Sequence, residues 1–400
     1  MSRALANPDL ISLAAGFVDQ QTLPAEETGK ALSDLFRDTD AARAALQYGT
    51  TPGYPPLREL LLERALAADH ASSDIPCPTL DQVVVTAGSN QLLHLVVESL
   101  LDPGDIVLCA APTYLVFLGT LANVGAQSFG VATDEFGLIP EAFVETLRKL
   151  DAAGDLARVK AIYLVPYFDN PCGVTMPLER LAQLVEIAKA WSTENRIHVI
   201  ADEAYRELRY SGDGVPSART LDTEGDTVIV AGTFSKSYSP GIRLGWGILP
   251  EDLVGPVCSQ KGNFDFGSPN FSQHLMHRVM REGLFDSHME RIRAGYRPKL
   301  QAMLDALDEH LAPLGGVRWF APRGGLYVWL QLPDGMDSGL NGRLFDLAIR
   351  EGVLYVPGQD CFPREGEPIR RNTMRLSFGV QPCERIREGI QALSRAIRAV

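Results

Sequence analysis

The sequence predicts an α/β fold: a mostly parallel sheet with helices on both faces, followed by a smaller α+β domain. Three observations carry this. Short apolar runs rich in β-branched residues recur without polar alternation, as in strands covered on both faces. Amphipathic stretches separate them, and strand, helix, strand repetition calls for parallel crossovers. After about residue 285 the order changes to a long helical run, a strand pair, and a further helix and strands.

The elements follow in chain order. Residues 1–40 match neither pattern and are expected to pack with the small domain. The large domain is placed at 41–285. Its strands are read in "QVVVTAG" (82–88), "DIVLCAAP" (105–112), "KAIYLVP" (160–166), "IHVIADEAY" (197–205) and "DTVIVAGTFSK" (226–236). Amphipathic helices are read in "NQLLHLVVESLL" (90–101) and "LERLAQLVEIAKAW" (178–191). The small domain, 286–400, opens on the helical "SHMERIRAGYRPKLQAMLDALDEHLAPLG" and a strand pair in "VRWFAPRGGLYVWLQLP". It continues with a helix into a strand in "LFDLAIREGVLYVPG", the strand "MRLSFG" and a final helix.

Composition narrows the function classes. The 400 residues are 46% hydrophobic and 22% charged, enough for a sizeable core and unlike a disordered chain. The net charge of -13 argues against nucleic-acid binding, which calls for a basic face. The six cysteines form no C-x-x-C pair, so neither a disulfide framework nor a zinc site is expected. No run approaches a membrane span and no signal-peptide pattern opens the chain, so a cytoplasmic protein is expected.

In a sheet of this kind ligands bind beyond the carboxyl ends of the strands, and polar residues collect there. "TAGSNQ" follows the first strand, so Gly88, Ser89 and Asn90 open a helix whose free N–H groups suit an anion; Ser89 can equally be a helix cap. Tyr114 follows the second strand and is either a core ring or a face for a planar ligand. Asn170 precedes a proline after the third, a turn position that also offers a donor. Asp202 ends the fourth, where an unpartnered carboxylate is costly, with Tyr205 three residues on. Lys236 follows the fifth in "GTFSKSYSPGIRLGW", with Thr233, Ser235 and Arg243 around it; in isolation it reads as a solvated loop lysine. One ligand accounts for the whole set: a phosphate at Ser89, Thr233 and Arg243, a flat ring at Tyr114, and a basic ring nitrogen at Asp202. Its ring oxygen meets Asn170 and Tyr205, and its carbonyl carbon meets Lys236. That is pyridoxal 5'-phosphate. A dinucleotide site would need G-x-G-x-x-G, which "TAGSNQ" does not supply.

From "ISLAAGFVDQQTLP" to "MRLSFG" the chain resembles the fold-type I, class I/II aminotransferases. The motifs are "DNPCG", "ADEAY", "TFSKSYSPGIRLGW", "PRGGLYVWL" and "YVPGQDCF". The seven-residue step from Lys236 to Arg243 is similar to the 2-aminoadipate/kynurenine aminotransferase II branch, whose catalytic domain MocR-type regulators share. The resemblance implies a seven-stranded sheet in the pyridoxal-phosphate-dependent transferase fold, a homodimer, and ping-pong transfer from an amino acid to a 2-oxo acid. It implies Lys236 as cofactor anchor and proton shuttle, Asp202 at the ring nitrogen, and Asn170 and Tyr205 at the ring oxygen. It places Gly88, Ser89, Asn90, Thr233, Ser235 and Arg243 around the phosphate, with Tyr114 on the ring. Tyr48 would reach the phosphate of the neighbouring subunit, Arg375 would clamp the substrate carboxylate, and Gly16 would lie close to the substrate. Cys172 and Thr233 depart from the usual Thr and Ser, and "GFVDQQTLP" departs from the usual G-x-P. A β-lyase of the same fold and a non-catalytic sensing protein are the alternatives. The chain shows no winged-helix domain before the catalytic part, which disfavours a regulator.

Overall fold

The computed structural model describes residues 10–69 and 77–400. Its strands, in chain order, are β1 (Ile11–Ser12), β2 (Val83–Thr86), β3 (Ile106–Ala111), β4 (Gln127–Asp134), β5 (Gly137–Leu138), β6 (Val159–Leu164), β7 (His198–Asp202) and β8 (Val228–Thr233). They continue as β9 (Gly245–Ile248), β10 (Arg318–Trp319), β11 (Tyr327–Gln331), β12 (Val353–Leu354), β13 (Val356–Pro357), β14 (Glu365–Gly366) and β15 (Thr373–Ser377).

The main sheet runs β14-β4-β3-β6-β7-β8-β9-β2, with β5 paired to β4. Strands β4, β3, β6, β7 and β8 pair in parallel. Strand β9 is antiparallel to both β8 and β2, so β2 again runs with the parallel set. The expected seven strands are thus β4 to β2, and β14 and β5 are short additions at one edge. Every residue of β2, β3, β7 and β8 is buried, inward and outward positions alike. Both faces are therefore covered, and the helices between the strands cover them. That burial explains why these strands read as unbroken apolar runs. Two members of the seven, β4 and β9, carry no such run: β4 is only partly buried, and β9 has two glycines in four residues.

A second sheet, β10-β11-β15-β13, is antiparallel throughout. The 27-residue helix Leu284–His310 packs on the C-terminal helix Cys383–Arg398 beside it. Strand β1 pairs in parallel with β12, which ties the start of the described chain to its C-terminal part. The helix Ala25–Arg37 instead packs on Asn270–Arg281, so the N-terminal segment divides its contacts; residues 1–9 of that segment lie outside the described residues.

Between these two anchorages the segment from Ala14 to Thr22 is held against the long helix Leu284–His310. Ser377 N donates to Leu13 O at 2.7 Å. Lys299 Nζ pairs with Asp19 at 2.6 Å, and both side chains are buried. Asp19 N donates to the Tyr296 hydroxyl at 2.9 Å. A buried ion pair of this kind adds little net stability but is costly to break, because either partner left alone is an uncompensated charge.

Candidate active site

The lysine loop begins where β8 ends. Thr233 Oγ1 accepts from Ser235 N at 3.1 Å, and Tyr238 N and Ser239 N both donate to Phe234 O at 2.9 Å. These local bonds turn the chain sharply, as hydroxylated residues favour. Ser239 then caps the short helical turn Pro240–Ile242, and Arg243 follows with a left-handed φ of 51°. The guanidinium of Arg243 thereby reaches Gly88. A Cβ on Gly88 would stand 2.9 Å from Arg243 Nη2, and its φ of 88° would itself strain any other residue. Gly88 occupies the cap of the helix Ser89–Leu100, and Ser89 is the first helical residue, so the cap reading of Ser89 is not what the structure shows. The helix start and the Arg243 cation face one another, a concave site for an anion. Asn90 lies on the same turn, and its side chain accepts from the Tyr114 hydroxyl at 3.5 Å.

Asp202 lies at the carboxyl end of β7, buried in the middle of the sheet. The Tyr163 hydroxyl donates to its Oδ2 at 2.8 Å and Ala204 N to its Oδ1 at 3.1 Å. Tyr163 is held in place by Phe117, whose ring stacks on it at 3.9 Å. Burial pushes the Asp202 carboxyl up to about 6, while Tyr163, Ala204 N and the nearby Lys236 charge pull it down. Burial, and secondarily the Asp202 charge, pushes the Tyr114 phenol up to about 12.

The remaining residues converge between the two sheets. Asn170 sits in a tight turn closed by Gly173 N to Asp169 O at 2.7 Å. Gly173 has a φ of 73°, and a Cβ there would lie 2.7 Å from Tyr327 O, so this turn can press against β11 only through glycine. Arg375, on β15, is 6% exposed. Its Nη1 donates to Asn170 Oδ1 at 2.8 Å and its Nη2 to Ala14 O at 2.9 Å. Its Nε is buried without a partner, a donor available to a ligand. Asn170 Nδ2 donates to the Tyr205 hydroxyl at 3.5 Å. Lys236 Nζ donates to Gly16 O at 2.7 Å. The structure thus brings Gly16, Asn170, Tyr205, Lys236 and Arg375 together, with Asp202 and Tyr114 beside them and the anion site at Gly88, Ser89 and Arg243 adjoining the lysine loop. Tyr48 stands apart: it is 80% exposed and meets the Phe266 ring at 5.6 Å.

The profile of the family described as aminotransferase class I and II matches residues 8–393. The chain belongs to this family. The class I and II aminotransferase described here is 36% identical to aromatic-amino-acid aminotransferase 1 of Thermococcus litoralis, over 98% of this chain and 88% of that one. It is 33% identical to the 2-aminoadipate transaminase of Thermus thermophilus, over 98% of this chain and 91% of that one. A solved structure of kynurenine aminotransferase from Pyrococcus horikoshii, in complex with PMP, superimposes with a TM-score of 0.91 at 36% identity. That match covers 100% of this chain and 93% of the other.

Pyridoxal 5'-phosphate fits the donors present. The glycine cradle at Gly88 leaves room where Arg243 meets the helix start, the buried Asp202 carboxylate suits a cationic ring nitrogen, and Lys236 is the primary amine between them. The sequence reading missed two members of this aminotransferase site. Tyr163 and Tyr327 sit inside apolar strands and look like core rings. The available signal was chemical: a phenol in a fully buried strand must find a partner for its hydroxyl. Asp19 and Lys299, which anchor the segment bearing Ala14 and Gly16, were also missed, because they are 280 residues apart.

Proposed function

We propose that this aminotransferase moves the amino group of an L-amino acid to a 2-oxo acid in two half-reactions at one site, with Lys236 as the cofactor anchor. The observation that carries this is the shared grip of Lys236 and Arg375 on one short segment: their donors bond Gly16 O and Ala14 O, two residues apart. Two residues span at most about 7 Å, so an amine and a carboxylate clamp from different sheets face one small space. An α-amino acid, with its nitrogen and carboxylate on a single carbon, is the substrate that such a space accepts.

When bound, pyridoxal 5'-phosphate supplies an electron-withdrawing ring that stabilises negative charge at the substrate Cα. Gly88, Ser89, Asn90, Thr233, Ser235 and Arg243 hold its phosphate, with Tyr114 against its ring. Asp202 holds the ring nitrogen in its protonated form; at ~4 Å and an effective dielectric of ~20 such a pair contributes roughly 4 kcal/mol before desolvation. Arg375 orients the substrate carboxylate through a planar fork that a lysine cannot reproduce, and so fixes which Cα bond is presented for cleavage. Lys236 Nζ takes the proton from Cα, the general-base step of each half-reaction.

The same reading gives the active form as a homodimer in the cytoplasm. Tyr48, Leu46, Phe264 and Phe266 are exposed apolar side chains, and a second copy covering them would bring Tyr48 to its neighbour's phosphate site. No helix among the described residues is long and apolar enough to cross a membrane. The large domain is taken as 41–285 and the small as 286–400, and residues 10–40 divide their contacts between the two. The test is a turnover assay of the purified protein with pyridoxal 5'-phosphate, 2-oxoglutarate and a donor panel that includes aromatic amino acids and 2-aminoadipate. Stoichiometric exchange of amine for oxo group supports the reading. Release of ammonia and pyruvate from a cysteine conjugate without exchange, or no turnover with any donor, overturns it.

A further inference from the structure

Tyr327 is a site phenol with no assigned part in this chemistry, yet it lies at the centre of the cluster. It is 1% exposed. Its hydroxyl is 3.3 Å from the Tyr205 hydroxyl, and the two rings meet edge to face at 5.7 Å. Arg375 lies over its ring with the guanidinium carbon 4.3 Å from the centroid. A Cβ on Gly16 would stand 2.6 Å from the Tyr327 oxygen, so the hydroxyl rests against the residue whose carbonyl takes Lys236 Nζ. The titratable groups around Tyr327 are Tyr205, Lys236, Arg375, Tyr114 and Tyr296, with the Cys361 thiol farther round.

We propose that Tyr327 is a positioning residue that acts through Tyr205, donating its hydroxyl proton to the Tyr205 oxygen so that Tyr205 keeps its own O–H free for the cofactor ring oxygen. This rests on the cofactor reading above. Each phenol has one proton to give, and the contact between them can use only one. If Tyr205 spent its proton on Tyr327, it would have none for the ring oxygen. The surroundings favour the other arrangement. Among the described residues the buried Tyr327 hydroxyl has no hydrogen-bond partner but Tyr205, so a proton not given to Tyr205 would be left without an acceptor. The Tyr205 oxygen already accepts from Asn170 Nδ2, and its proton has the ring oxygen to go to. Burial acts to raise the Tyr327 phenol, and the Arg375 and Lys236 cations and the Tyr205 hydrogen bond act to lower it. A donor into the Tyr205 oxygen polarises the O–H beyond it.

The experiment follows the visible absorption of the cofactor-loaded enzyme against pH, which reads the proton on the nitrogen that links Lys236 to the cofactor. Tyr327→Phe keeps the ring beneath Arg375 and removes only the hydroxyl. It should weaken the Tyr205 hydrogen bond, leave the ring oxygen more negative and hold that proton more tightly. The midpoint should move up by about 0.5 unit or more, roughly a threefold tighter proton. Tyr327→Leu should move it in the same direction, because the hydroxyl is what Tyr205 senses; it also carries the test if Tyr327→Phe does not fold. Tyr205→Phe should move it further, and the Tyr205→Phe/Tyr327→Phe double variant should match Tyr205→Phe alone, since a residue acting through another adds nothing once that other is gone. An unchanged midpoint in Tyr327→Phe, or additive shifts in the double variant, overturns the proposal. Failure of the cofactor reading looks different: the wild-type protein then shows no titrating visible band at all.

Discussion

Asp202 shows how burial is put to use at a single position. Its folded carboxyl titrates at about 6, above the ordinary value of 3.8. In the cofactor-free protein the folded chain therefore keeps a proton that the unfolded chain has released. Stability falls as pH rises from about 4 to about 6, and the cost is fully present above that window. Asp202→Asn should thus stabilise the cofactor-free protein by about 2 to 3 kcal/mol at pH 7 and by little at pH 3, measured by urea unfolding at both pH values. The same variant should release cofactor more readily, because it removes the partner of the ring nitrogen. Equal effects of the substitution at both pH values would contradict the assignment. Arg375→Lys keeps charge and loses the fork, so KM should rise for every amino donor with a smaller fall in kcat and a loss in kcat/KM of roughly 3 kcal/mol. Cofactor retention should be unchanged, whereas Arg243→Lys should weaken it. Asp202 was legible in the sequence because it ends an apolar run at a strand end, where a polar residue has to be explained; Lys236 and Asn170 lie in loops past their strands and were legible through the motifs around them. Tyr163 and Tyr327 were not, because a phenol within such a run satisfies the pattern of a core residue and only its partner reveals its part.

At the scale of elements, the main-sheet strands that form unbroken apolar runs were legible, and β4 and β9, which form none, were missed. Strand β3 is buried at every position and stands out as an apolar run, whereas β4, beside the sheet edge, mixes polar and apolar residues. The segment from Ala14 to Thr22 has almost no regular structure and so no periodicity to read, yet it supplies the carbonyls that Lys236 and Arg375 grip. Its anchor is the buried Asp19–Lys299 pair, whose sequence separation hides it. Asp19→Ala should leave Lys299 buried and unpaired, cost about 3 kcal/mol or more in unfolding free energy, and raise KM as the segment loosens. Asp19→Leu/Lys299→Met, which removes both charges, should recover most of that stability. A single variant as stable as the wild type would show that the pair does not hold the segment.

At the scale of the molecule, two sheets build one site, and in the proposed dimer a second copy would complete it. The main sheet brings Asp202 and Lys236 to its carboxyl edge, and the small sheet brings Arg375 and Tyr327 opposite them. Exposed Tyr48 belongs to neither group within one chain, and the resemblance alone gave it a part. Sedimentation at micromolar concentration should show a dimer or a multiple of it, and Tyr48→Phe should weaken cofactor retention without changing the assembly. A fully active monomer would contradict the shared site. The most direct test of the whole account is borohydride reduction of the cofactor-loaded enzyme followed by peptide mapping. The account predicts one stoichiometric label per chain, on Lys236, with its loss in Lys236→Ala. A label on another lysine, or no label on a protein that turns over amino acids, would contradict it.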